Sequence, residues 1–147
     1  MSYRHILAAL SLDEHGPIVL AKAAAFARQQ NARLSAIHVV EYVPMETGEA
    51  LIAMPADLTQ QLTQQARDQL QSLCAQQGLG ADAAHVANGA VSREIARCVE
   101  ELSADLIVVG HHPRRGLLAR LFSHTDQDVV QKAPCDVLVV ALANGND

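Results

Sequence analysis

Two rhythms of apolar residues run along the chain. Short, unbroken apolar stretches stand at residues 6–10 (Ile-Leu-Ala-Ala-Leu), 106–109 (Leu-Ile-Val-Val) and 137–140 (Val-Leu-Val-Val), and a further apolar-rich stretch at 34–40. Runs of this kind, without in–out alternation, suit strands buried on both faces, as in parallel sheets. A weaker strand is expected at 83–87. Between these runs the spacing turns helical. Val19, Ala23, Phe26 and Ala27 share one face opposite Lys22, Gln29 and Gln30, an amphipathic helix of about 14 residues. It opens at Pro17 behind Gly16, a favoured first-turn position for proline. Over 56–77, Leu58, Leu62, Ala66, Leu70, Leu73 and Cys74 follow at gaps of four, four, four, three and one. Gly78 closes that helix as a left-handed residue would. Ile95, Cys98, Val99 and Leu102 mark a third helix over 92–102. Thr125-x-x-Asp128 reads as a capping-box variant opening a fourth that runs to Ala133. Residues 41–55 hold two prolines, a glycine and two methionines and read as an irregular excursion, and Gly110 is expected to stop the fourth strand.

The predicted order is βαβαβαβαβ, with five strands and four helices. That pattern specifies an α/β domain with a mostly parallel sheet and helices on both faces. Residues 1–142 are expected to form a single domain, with 143–147 expected to be a disordered tail. In such sheets ligands lie beyond the carboxyl ends of the strands, where strand order reverses. The loops of interest are therefore 11–16, 40–55, 88–92 and 110–125.

Composition narrows the function classes. With 11 Lys+Arg against 16 Asp+Glu the chain carries −5, which disfavours nucleic acid as the partner, because phosphate backbones demand a cationic footprint. No apolar run reaches the ~18 residues of a membrane span, and no signal peptide is visible at the start. Three cysteines (Cys74, Cys98, Cys135) stand far apart with no CxxC. They read as reduced thiols in a cytoplasmic protein. Aromatic residues at 3%, with no Trp, argue against stacking platforms for single-stranded nucleic acid or sugars.

Gly110-His111-His112-Pro113-Arg114-Arg115-Gly116, the stretch through Ser123-His124-Thr125, and Ala133-Pro134-Cys135-Asp136-Val137-Leu138-Val139-Val140 resemble the universal stress protein family. Tyr3-Arg4-His5-Ile6-Leu7-Ala8-Ala9-Leu10, Ile37-His38-Val39-Val40 and Gly89 agree with it. The resemblance spans essentially the whole chain, and the Gly110-His111-His112 triplet is most similar to the A-type branch. It implies a Rossmann-like, adenine nucleotide alpha hydrolase-like domain with strand order 3-2-1-4-5. It also implies a cytoplasmic homodimer and a role in stress survival rather than metabolic catalysis.

One branch of the family holds ATP or AMP through Gly-x2-Gly-x9-Gly-(Ser/Thr); the other lacks this loop. Here the loop reads Gly110-x2-Pro113-x9-Ser123-His124. Pro113 has no N–H and cannot reach positive φ, so it removes a donor and a turn from an anion nest. The Cβ of Ser123 obstructs a close phosphate approach, and His124 replaces the small hydroxyl residue. Where the family's ATP binders carry Asp at the end of the first strand, this chain has Ser11, with Asp13 two residues on. Against this, residues 111–124 carry Arg114, Arg115 and Arg120 and no acid. Arginines can clamp phosphate bidentately, and the helix behind Thr125 adds an anion preference.

Two readings follow. In the first, the chain is a non-enzymatic interaction module with weak or no ATP binding. It acts through its dimer surface and the 110–125 loop on an unidentified protein partner, with Ser123 and Thr125 as candidate phosphorylation positions. In the second, it is an ATP or AMP sensor. Its degenerate site would comprise Ser11, Asp13, Val39, Val40, Gly110, Arg114, Arg115, Gly116, Arg120, Ser123, His124 and Thr125. Asp13 would hold the ribose, and the Val39–Val40 backbone the base. An ATPase or phosphotransferase would need a Mg²⁺ ligand such as Asp126 or Asp128, and Asp128 is more simply a helix cap. Adjacent His111 and His112 are poor metal chelators, so no metal site is expected. No hydrolase signature occurs. His38 is expected to be a packed, hydrogen-bonded residue, and Cys74 and Cys98 to be core residues. If the last strand lies at the sheet edge, Val137-Leu138-Val139-Val140 invites pairing with a second copy.

Overall fold

The computed structural model describes residues 2–41, 45–47, 50–52, 56–111, 129 and 131–142. The strands are β1 (His5–Ala9), β2 (Arg33–Glu41), β3 (Met45–Thr47), β4 (Ala50–Ile52), β5 (Ala84–Gly89), β6 (Leu106–His111) and β7 (Asp136–Ala141); the helices are α1 (Gly16–Gln30), α2 (Ala56–Gln76) and α3 (Val91–Leu102). Val129, Gln131 and Lys132 are also helical, within the expected fourth helix, whose other turns lie outside the described residues. The main sheet runs β5-β2-β1-β6-β7, every pairing parallel. Apart from the small β3–β4 pair this is the order 3-2-1-4-5.

The continuous apolar runs exist because both faces of the sheet are covered. Ile6, Ala8 and Leu10 join Val19, Leu20 and Ala23 of α1 and Leu70 and Cys74 of α2 in one core. Leu7, Ile37, Ile107 and Val109 join Ile95, Cys98 and Val99 of α3, with Val129, in the other. Ile6, Leu7 and Ala8 are each fully buried, so neither face of β1 has room for a polar residue. A Leu or Ile side chain buried in this way contributes on the order of 2 kcal/mol. Burial pushes the Cys98 thiol up to about 11 and also raises Cys74, holding both protonated.

Two expectations are corrected. The 41–55 excursion is not wholly irregular: Met45–Thr47 and Ala50–Ile52 pair antiparallel, Met45 opposite Ile52. The strands are three residues each, too short to display a period, and only the two-residue spacer with Gly48 signals a hairpin. Nor does Gly110 end its strand. β6 continues through it, pairing Gly110 with Val140 and His111 with Ala141. A Cβ at Gly110 would come within 2.8 Å of Val19 Cγ2 and 2.9 Å of Leu142 Cδ1. Glycine is there so that α1 and the chain after β7 can close over the strand.

A candidate ligand notch at the carboxyl end of the sheet

β1 is central, and the chain leaves it first toward β2 and later reaches it again from β6, which makes it the point where strand order reverses. Its ladder ends early there, at Ala9↔Ile37 on one side and Ala8↔Val108 on the other. β2 runs on to Glu41 and β6 to His111. The two flanking strands therefore overhang the end of β1 and leave a notch floored by Leu10 and Ser11. His38 closes the floor: its Nδ1–H donates to the Leu10 carbonyl at 2.8 Å, while the Leu10 N–H donates to Ile37 O at 2.9 Å. His38 is thus the half-buried, hydrogen-bonded residue expected.

Topology brings Ser11, Asp13, Val39, Val40 and Gly110 to this end of the sheet. The Val39 side chain is buried against α3, and Val40 is half-buried on the opposite face. Their backbones pair with Ala87 and Asn88 of β5 and have no β1 residue opposite. Gly110 belongs to β6, where its lack of a side chain serves packing. Arg114, Arg115, Gly116, Arg120, Ser123, His124 and Thr125 lie outside the described residues, as do Pro113, Asp126 and Asp128.

The turn from β1 to α1 is tightly self-bonded. The Ser11 hydroxyl donates to Asp13 Oδ1 at 2.9 Å, and so does the His15 N–H at 2.9 Å. The Gly16 N–H reaches the Asp13 carbonyl at 3.2 Å. This is an Asx-type turn feeding a helix. A Cβ on Gly16 would collide with the Ser11 carbonyl, so the turn closes only over glycine. Burial works against the Asp13 charge. The donors from His15 and Ser11, the His15 ring and the Gly16 N–H outweigh it and hold the carboxyl below its usual 3.8. The His15 ring stands 3.7 Å from Asp13 Oδ1 and 3.9 Å from Glu14 Oε1. His15 was not singled out by spacing or composition; its contribution is visible only once the turn is folded.

The junction of β5 and α3, in the 88–92 segment of interest, adds a second feature, in which Glu94 was not foreseen. Glu94 is buried, 3.1 Å from Arg97 Nη1, and packs against Gly89, which takes a φ of 137°. Asn88 Oδ1 accepts the Thr63 hydroxyl at 3.1 Å. Among the described residues no three His, Cys, Asp or Glu side chains gather as a metal site would require. No helix among them is long and apolar enough to cross a membrane.

Comparison with known proteins agrees with this architecture. Residues 2–141 match the model of the universal stress protein family. The chain is 36% identical over 141 residues to universal stress protein A homolog 1 of Coxiella burnetii, covering 95% of this chain and 97% of that protein. Among solved structures, universal stress protein UspA from Lactobacillus plantarum superposes with a TM-score of 0.68 at 22% identity, over 95% of this chain and 99% of that one. A universal stress protein solved in complex with cAMP superposes at 0.62 and 20% identity, over 95% and 98% of the two chains. A parallel five-stranded sheet in this order, an overhung central strand and a family match along almost its whole length place the chain in the universal stress protein family.

Proposed function

We propose that the chain is a cytoplasmic, homodimeric stress-response module that works by binding rather than by turnover and does not grip ATP firmly. The observation that carries this reading is Pro113, which stands where the family's ATP loop has glycine and offers phosphates neither an N–H nor a positive φ. On the ribose side the Asp13 carboxylate is partly engaged, its Oδ1 accepting two hydrogen bonds from its own turn and leaving Oδ2 for any further contact. Mass spectrometry of small molecules released from freshly purified protein tests it, together with calorimetry at millimolar ATP. The expected outcome is an empty protein and no measurable heat; stoichiometric ATP would overturn it.

The dimer reading rests on β7. It is an outer strand of the sheet, and Leu138 on it is 39% exposed. Pairing with β7 of a second copy would cover both the open backbone and that side chain. Light scattering after size exclusion should return about twice 15.7 kDa at micromolar concentration. A stable monomer would refute it.

A second reading, an adenine-nucleotide sensor, is favoured by the notch itself and by a structural neighbour solved with cAMP. In it the Val39–Val40 backbone meets the base, and Arg114, Arg115 and Arg120 replace the glycine nest. Copurified AMP, ATP or cAMP would select this reading over the first.

A further inference from the structure

Toward the amino end of the sheet, the face under α3 changes from apolar to polar. Leu7 and Ile37 lie in the core beneath α3. Alternation along a strand puts His5 and Ser35, two residues before each, on that same face. His85 stands opposite Ile37 in the β2–β5 register and shares it. His5 and Ser35 are each 5% exposed.

Two of these three side chains are joined. His5 Nδ1 lies 3.1 Å from the carbonyl of Leu102, the last residue of α3. A carbonyl only accepts, so Nδ1 holds the proton. His5 Nε2, 2.8 Å from Ser35 Oγ, is then the acceptor of the Ser35 hydroxyl. Ser35 has thereby committed its one hydrogen and keeps only open lone pairs.

His85 stands apart from this chain of bonds. Its Nε2 is buried and has no hydrogen-bond partner among the described residues. A buried nitrogen left dry carries its whole desolvation cost, which is why folded proteins supply such atoms with a partner. Ser35 and His85 lie on either side of the Ala36↔Ala84 pair, as diagonal neighbours on one face. The His85 ring is also close to His5. Burial is the largest influence holding His5 below its ordinary 6.5, and the charge of His85 adds to it through space.

The chemistry of the gap selects its occupant. An anion needs donors, and Ser35 has none left. A metal ion needs more than two ligands, and among the described residues no three His, Cys, Asp or Glu side chains gather. A water molecule can donate one O–H to Ser35 Oγ. It can meet His85 Nε2 with its second O–H or with a lone pair, whichever tautomer that ring takes.

We propose that one buried water binds between Ser35 Oγ and His85 Nε2. It completes a line of hydrogen bonds that runs from the Leu102 carbonyl through His5 on β1 and Ser35 on β2 to His85 on β5. The outer strand is then tied to the end of α3 by side chains as well as by its backbone ladder.

A high-resolution crystal structure of the intact chain tests this directly. It should show one ordered water within ~3 Å of both Ser35 Oγ and His85 Nε2. A dry gap, or a water touching only one of the two atoms, would overturn the proposal. A double-mutant cycle reads the same bridge in solution. Ser35→Ala and His85→Leu should each lower the folding equilibrium constant about tenfold. The double variant should keep at least about threefold more stability than the product of the two losses, because either change alone already unseats the water. Losses that simply multiply would overturn the bridge. Where a variant does not fold, the wild-type map decides.

Discussion

The two ends of the parallel sheet deal with their loose polar groups in opposite ways. At the amino end the partners come from far along the chain. The Tyr3 N–H donates to Gln30 Oε1, the Tyr3 hydroxyl to Asp136 Oδ2 133 residues away, and the Arg4 and His5 amides to the Asp105 carboxylate. At the carboxyl end of β1, Ser11, Asp13, His15 and Gly16 satisfy one another within a single turn, and His38 and Ile37 of β2 tie down Leu10, while Thr63 on Asn88 and Leu142 on His111 close the ends of the outer strands. One end ties strands to each other; the other leaves β2 and β6 overhanging a notch. The difference teaches where adjustment is cheap. Cross-strand ties open only with the sheet, whereas a self-contained turn can re-form around a ligand without disturbing the register.

Asp105→Ala attacks the comparison at its stronger end. The variant strips the Arg4 and His5 N–H groups, at the start of β1, of their acceptor. A loss of about 2 kcal/mol in urea unfolding is expected, more than for any single carboxylate of the β1–α1 turn. Burial raises the Asp105 carboxyl, but the Arg4 and His5 amides outweigh it and hold it below its usual 3.8. The folded state therefore releases the proton more readily than the unfolded one. The gap between wild type and variant should be full above that value and close as pH falls through the folded one. A gap independent of pH, or smaller than that of the turn variant below, would erase the distinction between the two ends.

Much of the fold is legible in the sequence because burial on both faces writes itself as unbroken apolar runs. Ile6, Leu7 and Ala8 leave no alternative to a central parallel strand. What escapes is what depends on partners distant in sequence. The passage of β6 through Gly110 follows from Val19 and Leu142 closing over it, which no local pattern encodes. His5 reads as an ordinary polar residue ahead of an apolar run, since its partners Leu102 and Ser35 lie 97 and 30 residues away. The candidate site is half legible for the same reason. Topology alone carries Ser11, Asp13, Val39, Val40 and Gly110 to the carboxyl end, but the use to which Asp13 puts its oxygen is decided by the turn it sits in.

Asp13→Ala, at the weaker end, carries the smaller expected effect and the sharper meaning. Its side chain is about half exposed and its bonds stay within one turn, so the loss resembles that of a helix-start residue, about 1 kcal/mol. Because its folded value is also depressed, this increment too should disappear as pH falls through it. The decisive measurement is calorimetric titration of AMP into wild type and variant side by side. With Asp13 committed to α1, stability should drop while the heat of AMP addition stays the same. A variant that unfolds like wild type but loses an AMP signal would assign the carboxylate to a ligand, and would make the carboxyl end a built site rather than an open one.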